Sequence, residues 1–333
     1  MRLPRFDYLK PDTLKAALEL LALHKDDAKI LAGGTDLLVR MKNGLLNPKV
    51  VISLKALNEL SYIKKQAGYI KIGARTSLAD IIASDLIQKE AKALFQACEK
   101  VGAITIQHYR GTIGGNILQD NRCQYYNQSD FHRSGHQACH KAGGKICYAR
   151  EEADRCNSTC QSDGATALMA LGAQIILAGK DGERTVDLAD FYTTDGIMPH
   201  ACESHELLKE IIIPVLGAHS AYQRLAYRSA IDYPIVCAGV LLKPSPENEI
   251  EDARIVVGAI GRSPLFLAKA SASLKGKRFT DMTAFKKAAD DSMNASAPFA
   301  VHNVGATLEY RCAMVSRMVF QALEQAAFSA AKE

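Results

Sequence analysis

Five cysteines, Cys123, Cys139, Cys147, Cys156 and Cys160, crowd into 38 residues of a 333-residue chain that has nine cysteines in all. The other four, Cys98, Cys202, Cys237 and Cys312, are scattered through apolar or helix-like settings, where a thiol serves as a small buried hydrophobe. An odd crowd of thiols without a secretion signal argues against a disulfide framework and for a metal or redox chemistry. Structural zinc sites open with a tight C-x₂₋₄-C knuckle. Only Cys156-x₃-Cys160 has that spacing, and the gaps linking Cys123, Cys139, Cys147 and Cys156 are wide. Four thiolates accept zinc or an iron–sulfur cluster, and His132, His136 or His140 is able to complete a mixed zinc site. The spacing points to a metal and leaves its identity open.

Two glycine pairs carry a second chemistry. Ala32-Gly33-Gly34-Thr35-Asp36 lies between an apparent strand and a helix start, and Thr112-Ile113-Gly114-Gly115-Asn116 repeats the composition. Such turns expose successive backbone N–H groups to an anion, and glycine lets a phosphate come close. Gly-Gly turns are common, so one loop says little; two suggest a single pyrophosphate held from both sides. There is no G-x-G-x-x-G fingerprint and no phosphate loop ending in Gly-Lys-Ser/Thr. A G-x-S-x-G elbow and an H-E-x-x-H helix are also missing. A dinucleotide site of non-Rossmann type beside a thiolate site implies electron transfer rather than hydrolysis.

The elements that must position these groups follow from periodicity. Asp12 or Thr13 caps a helix through about His24, followed by a strand at Lys29–Leu31, a helical pattern at Leu37–Met41 and a buried strand at Val50–Ile52. A strand at Tyr69–Ile72 leads to helices capped by Thr76 or Ser77 that continue past Cys98. Residues 121–160 lack sustained periodicity, as expected of an inserted loop ordered by a metal. A helix at Ala165–Ala173 precedes a hairpin over Gln174–Val186 turning at Asp181-Gly182, then a strand, Glu210–Pro214. Three strands, Tyr222–Tyr227, Val236–Leu242 and Ala253–Ile260, are followed by two helical stretches. The last runs from about Val304 to Ala330, with Leu308, Cys312, Val315, Val319 and Leu323 as its core face. The fold class is α+β. A net charge of +5 without a basic stripe excludes a nucleic-acid footprint. No apolar run reaches the roughly 18 residues of a membrane span, so a soluble, cytoplasmic protein is expected.

Together these residues resemble the FAD-binding medium subunit of molybdenum hydroxylases, the xanthine dehydrogenase and carbon monoxide dehydrogenase flavoprotein family. The likeness runs through both glycine motifs, Leu208-x₅-Pro214 and Tyr222-x-Arg224-x₃-Arg228-x₃-Asp232. The insert between Arg122 and Cys156 resembles that of 4-hydroxybenzoyl-CoA reductases, in which it holds a [4Fe–4S] cluster. The resemblance implies a two-part FAD-binding domain of the vanillyl-alcohol-oxidase-like (PCMH) type, residues 1–55 and 56–216 with the insert at 121–160. A C-terminal α/β domain with a three-stranded antiparallel sheet, residues 217–333, completes it. It implies FAD contacts at Leu31, Ala32, Gly33, Gly34, Thr35 and Asp36, and at Thr112, Ile113, Gly114, Gly115 and Asn116. Ala103, Asp163, Leu208 and Arg224 join them, Arg224 replacing the family's usual lysine at the flavin's polar edge. Cys123, Cys139, Cys147 and Cys156 match the cluster ligands, and Cys160 matches none.

The implied partners are a molybdopterin-binding large subunit, a [2Fe–2S] small subunit and a ferredoxin-like electron donor or acceptor, in a dimer of heterotrimers. The implied role is an electron relay for reductive removal of a phenolic hydroxyl from an aromatic acyl-CoA, with substrate chemistry on another chain. The alternatives are the medium subunit of an oxidising aldehyde or N-heterocycle dehydrogenase, a zinc-stapled nucleotide-binding scaffold, or a self-sufficient flavin oxidase.

Overall fold

The computed structural model describes residues 2–303 and 305–330. Three sheets organise the chain. The first is parallel, with β3 (Val50–Ser53) between β1 (Asp7–Leu9) and β2 (Ala28–Leu31). All four β3 residues are buried, as a central parallel strand requires. The helix Leu14–His24, capped by the Thr13 hydroxyl on the Ala16 amide, packs Ala17 and Leu21 on this sheet.

The second sheet is antiparallel, in the order β4 (Ile63–Gln66), β5 (Tyr69–Gly73), β8 (Leu207–Pro214), β6 (Gln174–Gly179), β7 (Gly182–Asp187). Its middle strand carries Ile211-Ile212-Ile213, whereas the edge strands read Ile-Lys-Lys-Gln and Gly-Glu-Arg-Thr-Val-Asp. Charged edges of this kind discourage further strand pairing. The third sheet is antiparallel, in the order β12 (Leu265–Phe266), β11 (Ile250–Gly258), β10 (Val236–Pro244), β9 (His219–Leu225).

Helix Asp163–Ala170 is the keystone between the second and third sheets. All eight of its residues are buried, and five of them are Gly, Ala or Thr. That smallness admits sheet backbone on the helix surface: a Cβ on Gly258 would stand 2.1 Å from Thr166 Oγ1. Its N-terminus, capped by the Ser162 hydroxyl on the Ala165 amide, points Asp163 toward the centre of the molecule. On the opposite face of β9 and β10 lies the long helix Leu308–Ala330, with Val315, Val319 and Leu323 in the core. Leu308 and Cys312 are only half-buried, and the fully buried residue on that turn is Arg311. Its guanidinium donates to the carbonyls of Ile235 (3.4 Å), Ala259 (2.5 Å) and Val301, and burial lowers its pKa to about 10.

Several expectations need correction. The third sheet has a fourth short strand, β12, because Leu265 and Phe266 pair with Val257 and Val256. The hairpin turns at Lys180-Asp181, one residue early, since Gly179 pairs with Gly182. Strands β1 and β4 carry no alternating pattern and owe their existence to their neighbours in the sheet. The loop at 121–160 contains a short helix, Asp130–Ser134. The last helix begins at Leu308, and Val304 lies outside the described residues. No helix among the described residues is long and apolar enough to cross a membrane.

Because the Arg311 fork satisfies three carbonyls in a water-free place, Arg311→Met should cost on the order of 2–4 kcal/mol. Arg311→Lys should not restore it, since an ammonium lacks the planar fork. Urea unfolding followed by circular dichroism measures both; an unchanged midpoint contradicts this account of the clamp.

Candidate functional site

The first glycine loop follows β2 and opens the helix Leu37–Lys42. It is pressed against the chain just before the second loop: a Cβ on Gly33 would stand 1.6 Å from the Arg110 carbonyl oxygen. Only glycine fits there. Among the described residues, the amides of Gly33, Gly34 and Thr35 donate to no protein acceptor, so they are available to an anion.

The second loop behaves differently from the expectation of a matching cradle. The amides of Ile113, Gly114 and Gly115 are already used, on the Thr76 carbonyl, the Ala74 carbonyl and the Thr112 hydroxyl. Asn116 likewise spends its Oδ1 on the protein, accepting from the Gly164 amide at 3.0 Å and the Ser162 hydroxyl at 2.8 Å. The second loop is a wedge that fixes the start of helix Asp163–Ala170 beside the first.

Between them lies a cleft of about 560 Å³, a volume within the range of small-molecule and cofactor sites. Ala32 to Asp36 line it, together with Thr112, Gly114, Gly115, Asn116, Asp163 and Leu208. The remaining expected contacts lie outside its wall. Leu31 ends β2 just behind it, and Ile113 is buried beneath the second loop. Ala103 binds Gln107 through its amide at the start of a π-helical turn, Ile104–His108, whose Gln107 does line the cleft.

Arg224 is buried rather than facing the cleft. Its guanidinium donates to the carbonyls of Lys100 and Asp232 and lies 3.4 Å from Asp163 Oδ1. It braces the segments that bring Gly102 and Tyr233 to the cleft. Burial raises the Asp163 pKa, and Arg224 and the Tyr222 hydroxyl, donating at 2.6 Å, act against that rise.

Other groups in the wall escaped the sequence reading. Arg40, Asp120, Arg122, His200 and Tyr233 all line the cleft. Arg122 pairs with Asp36 and lies under the Tyr233 ring, 5.3 Å from its centre. His200 stacks on Phe191 at 5.4 Å, and burial lowers its pKa, favouring the neutral ring. Of these, only Arg122 had a sequence signal, its place beside Cys123.

The insert leaves and rejoins the fold through a two-residue bridge. Arg122 and Thr159 exchange both backbone hydrogen bonds at 2.8 Å, and Asn303 Nδ2 donates to the Arg122 carbonyl at 2.6 Å. Within the loop, Cys123, Cys139, Cys147 and Cys156 line one small cavity. Cys160 does not; it is buried beyond the bridge, where desolvation pushes its thiol pKa up to about 12. His140 reaches the cavity but has its Nε2 within 2.9 Å of the Ala153 carbonyl oxygen. His132 and His136 lie outside it, against Ser129 and Tyr148. As placed, no three His, Cys, Asp or Glu side chains among the described residues converge on a single ion.

Two family descriptions match the chain. "FAD binding domain in molybdopterin dehydrogenase" covers residues 4–216, and "CO dehydrogenase flavoprotein C-terminal domain" covers 220–326. The nicotinate dehydrogenase FAD-subunit of Eubacterium barkeri is 30% identical over 279 residues, 83% of this chain and 81% of that subunit. The carbon monoxide dehydrogenase medium chain of Hydrogenophaga pseudoflava is 27% identical over 325 residues, 97% of each. A solved structure of reconstituted CO dehydrogenase from Oligotropha carboxidovorans superposes with a TM-score of 0.79 at 27% identity, covering 98% of this chain and 99% of that one.

Gly33→Ala should therefore empty the cleft of flavin, because the new methyl group must push the loop off the Arg110 carbonyl. Flavin absorbance per purified chain reads this out, and a wild-type flavin content contradicts the role given to that contact. The sequence motifs, the glycine-lined cleft and both matches agree that the chain belongs to the family of FAD-binding medium subunits of molybdopterin-dependent dehydrogenases.

Proposed function

We propose that this chain is an electron-transfer subunit carrying both FAD and a [4Fe–4S] cluster, in an enzyme of the 4-hydroxybenzoyl-CoA reductase type. The observation that carries the reading is the cavity in the insert, which gathers the four expected cysteines and excludes the fifth. Four cysteines on one cavity supply the all-sulfur donor set that an iron–sulfur cluster takes. The loop is pinned at Arg122, whose side chain reaches the FAD cleft, so the two sites share a wall.

In this reading residues 1–55 and 56–216 form the two parts of the flavin domain, with 121–160 as the insert and 217–333 as the C-terminal domain. The Gly33, Gly34 and Thr35 amides receive the pyrophosphate, and the second loop and Asp163 shape the opposite wall. Leu208, beside Gly114, supplies an apolar contact. Arg224 holds the mouth of the cleft in shape through Lys100 and Asp232. Bound FAD supplies the exchange between one-electron and two-electron carriers. Cys123, Cys139, Cys147 and Cys156 hold the cluster as thiolates. The partners are a molybdopterin-binding large subunit, a [2Fe–2S] small subunit and a ferredoxin-like protein, assembled as a dimer of heterotrimers in the cytoplasm.

A second reading, the medium subunit of an oxidising dehydrogenase, draws on the relatives' names, which include nicotinate and glyceraldehyde dehydrogenases. Co-expression with the genomic neighbour encoding the large subunit separates the two. Reduction of 4-hydroxybenzoyl-CoA by a low-potential donor supports the first, and oxidation of an aldehyde or N-heterocycle supports the second.

Anaerobic purification should yield about one FAD, four iron and four acid-labile sulfide per chain. Cys139→Ser should lose the iron and Cys160→Ser should keep it. Stoichiometric zinc without sulfide, or equal iron loss in both variants, contradicts the assignment.

A further inference from the structure

The wall between the cysteine cavity and the flavin cleft is built from charge. Lys141, two residues beyond Cys139, has a side chain only 6% exposed. Its ammonium donates to Asp120 Oδ1 at 2.8 Å, to the Gly196 carbonyl at 3.0 Å and to the Asn121 carbonyl at 3.1 Å. Asp120, equally buried, lies 3.0 Å from Arg40 through its other oxygen. Arg40 in turn lies 3.8 Å from Asp36, and Asp36 pairs with Arg122. The result is a row alternating in sign, Lys141–Asp120–Arg40–Asp36–Arg122. Both its ends belong to the insert; its centre, Arg40, sits on the helix Leu37–Lys42, and Asp36 closes the first glycine loop.

We propose that Lys141 is a positioning residue for the FAD site, acting from the insert through Asp120 and Arg40 on Asp36. Three cations and two anions leave the row one positive charge, next to the free amides of Gly33, Gly34 and Thr35. Without Lys141, a buried Asp120 keeps one cation instead of two and draws Arg40 away from Asp36. Removing one of two partners from a buried carboxylate is costly, and the loop must shift to relieve it. The first glycine loop then faces the pyrophosphate with a weaker positive field and a looser Asp36. Coupling works in both directions: whatever orders the insert tightens FAD binding, and FAD in the cleft orders the insert. The proposal rests on the cleft holding FAD and does not require the cavity to hold a particular metal.

The test is FAD titration of the full chain, purified anaerobically and stripped of flavin, followed by quenching of flavin fluorescence, with iron counted in every preparation. Lys141→Met should weaken FAD binding by about tenfold with iron unchanged, and Lys141→Arg should recover most of the loss. In the Asp36→Asn background, Lys141→Met should cost nothing further, because its effect passes through Asp36; general damage would add. Should Lys141→Met alone not fold, the Asp120→Asn/Lys141→Met pair, which removes the buried carboxylate together with its cation, should bind FAD as tightly as Asp120→Asn alone, and a further loss on adding Lys141→Met overturns the proposal. Wild-type FAD affinity in Lys141→Met, or additive losses in the double variant, overturns the proposal. An iron-free chain that still shows the non-additivity keeps it, while removing the cluster from the reading above.

Discussion

The contact between Gly33 and the Arg110 carbonyl sets the shape of everything around the cleft. It presses the first glycine loop against the approach to the second, so that two parts of the sequence separated by some 75 residues form one floor. A side chain at that point would hold the loops apart. The loop left standing on that floor has free amides, and the one behind it is locked by its own hydrogen bonds. One leaves its donors free and the other holds them in place.

The surrounding architecture serves this arrangement. The parallel sheet ends in the first loop, and the five-stranded sheet brings Leu208 to the opposite wall. The C-terminal sheet is held against the five-stranded one by a helix made thin enough, by glycine, alanine and threonine, to be buried along its whole length. That helix also delivers Asp163. Arg224 and Arg122 then clamp backbone and carboxylates from two directions, so the cleft is shaped by charge as much as by apolar packing.

The sequence exposed the parts whose chemistry is local. Paired glycines between a strand and a helix, and cysteines crowded into an aperiodic stretch, carry their meaning in a few residues. The central strands were equally legible, since Val50-Val51-Ile52 and Ile211-Ile212-Ile213 are apolar runs of strand length. What stayed hidden depends on distant partners. Arg40, Asp120, Lys141 and His200 are ordinary residues in sequence and acquire a role only when the insert folds back on the cleft. Strand β1 exists because β3 offers it an edge. The different duties of the two glycine loops also could not be read in advance, because the carbonyls of Ala74 and Thr76 that occupy the second loop lie almost forty residues upstream. Arg224 kept the positive charge expected of it and turned it toward backbone carbonyls.

The central claim is that one chain holds a flavin and an iron–sulfur cluster on either side of a shared wall. A crystal structure grown without oxygen, with diffraction recorded on both sides of the iron absorption edge, tests it most directly. The account predicts flavin density against Gly33 and Gly34 and anomalous iron density enclosed by Cys123, Cys139, Cys147 and Cys156. A single zinc peak on those thiols, or iron bound through Cys160, would contradict it.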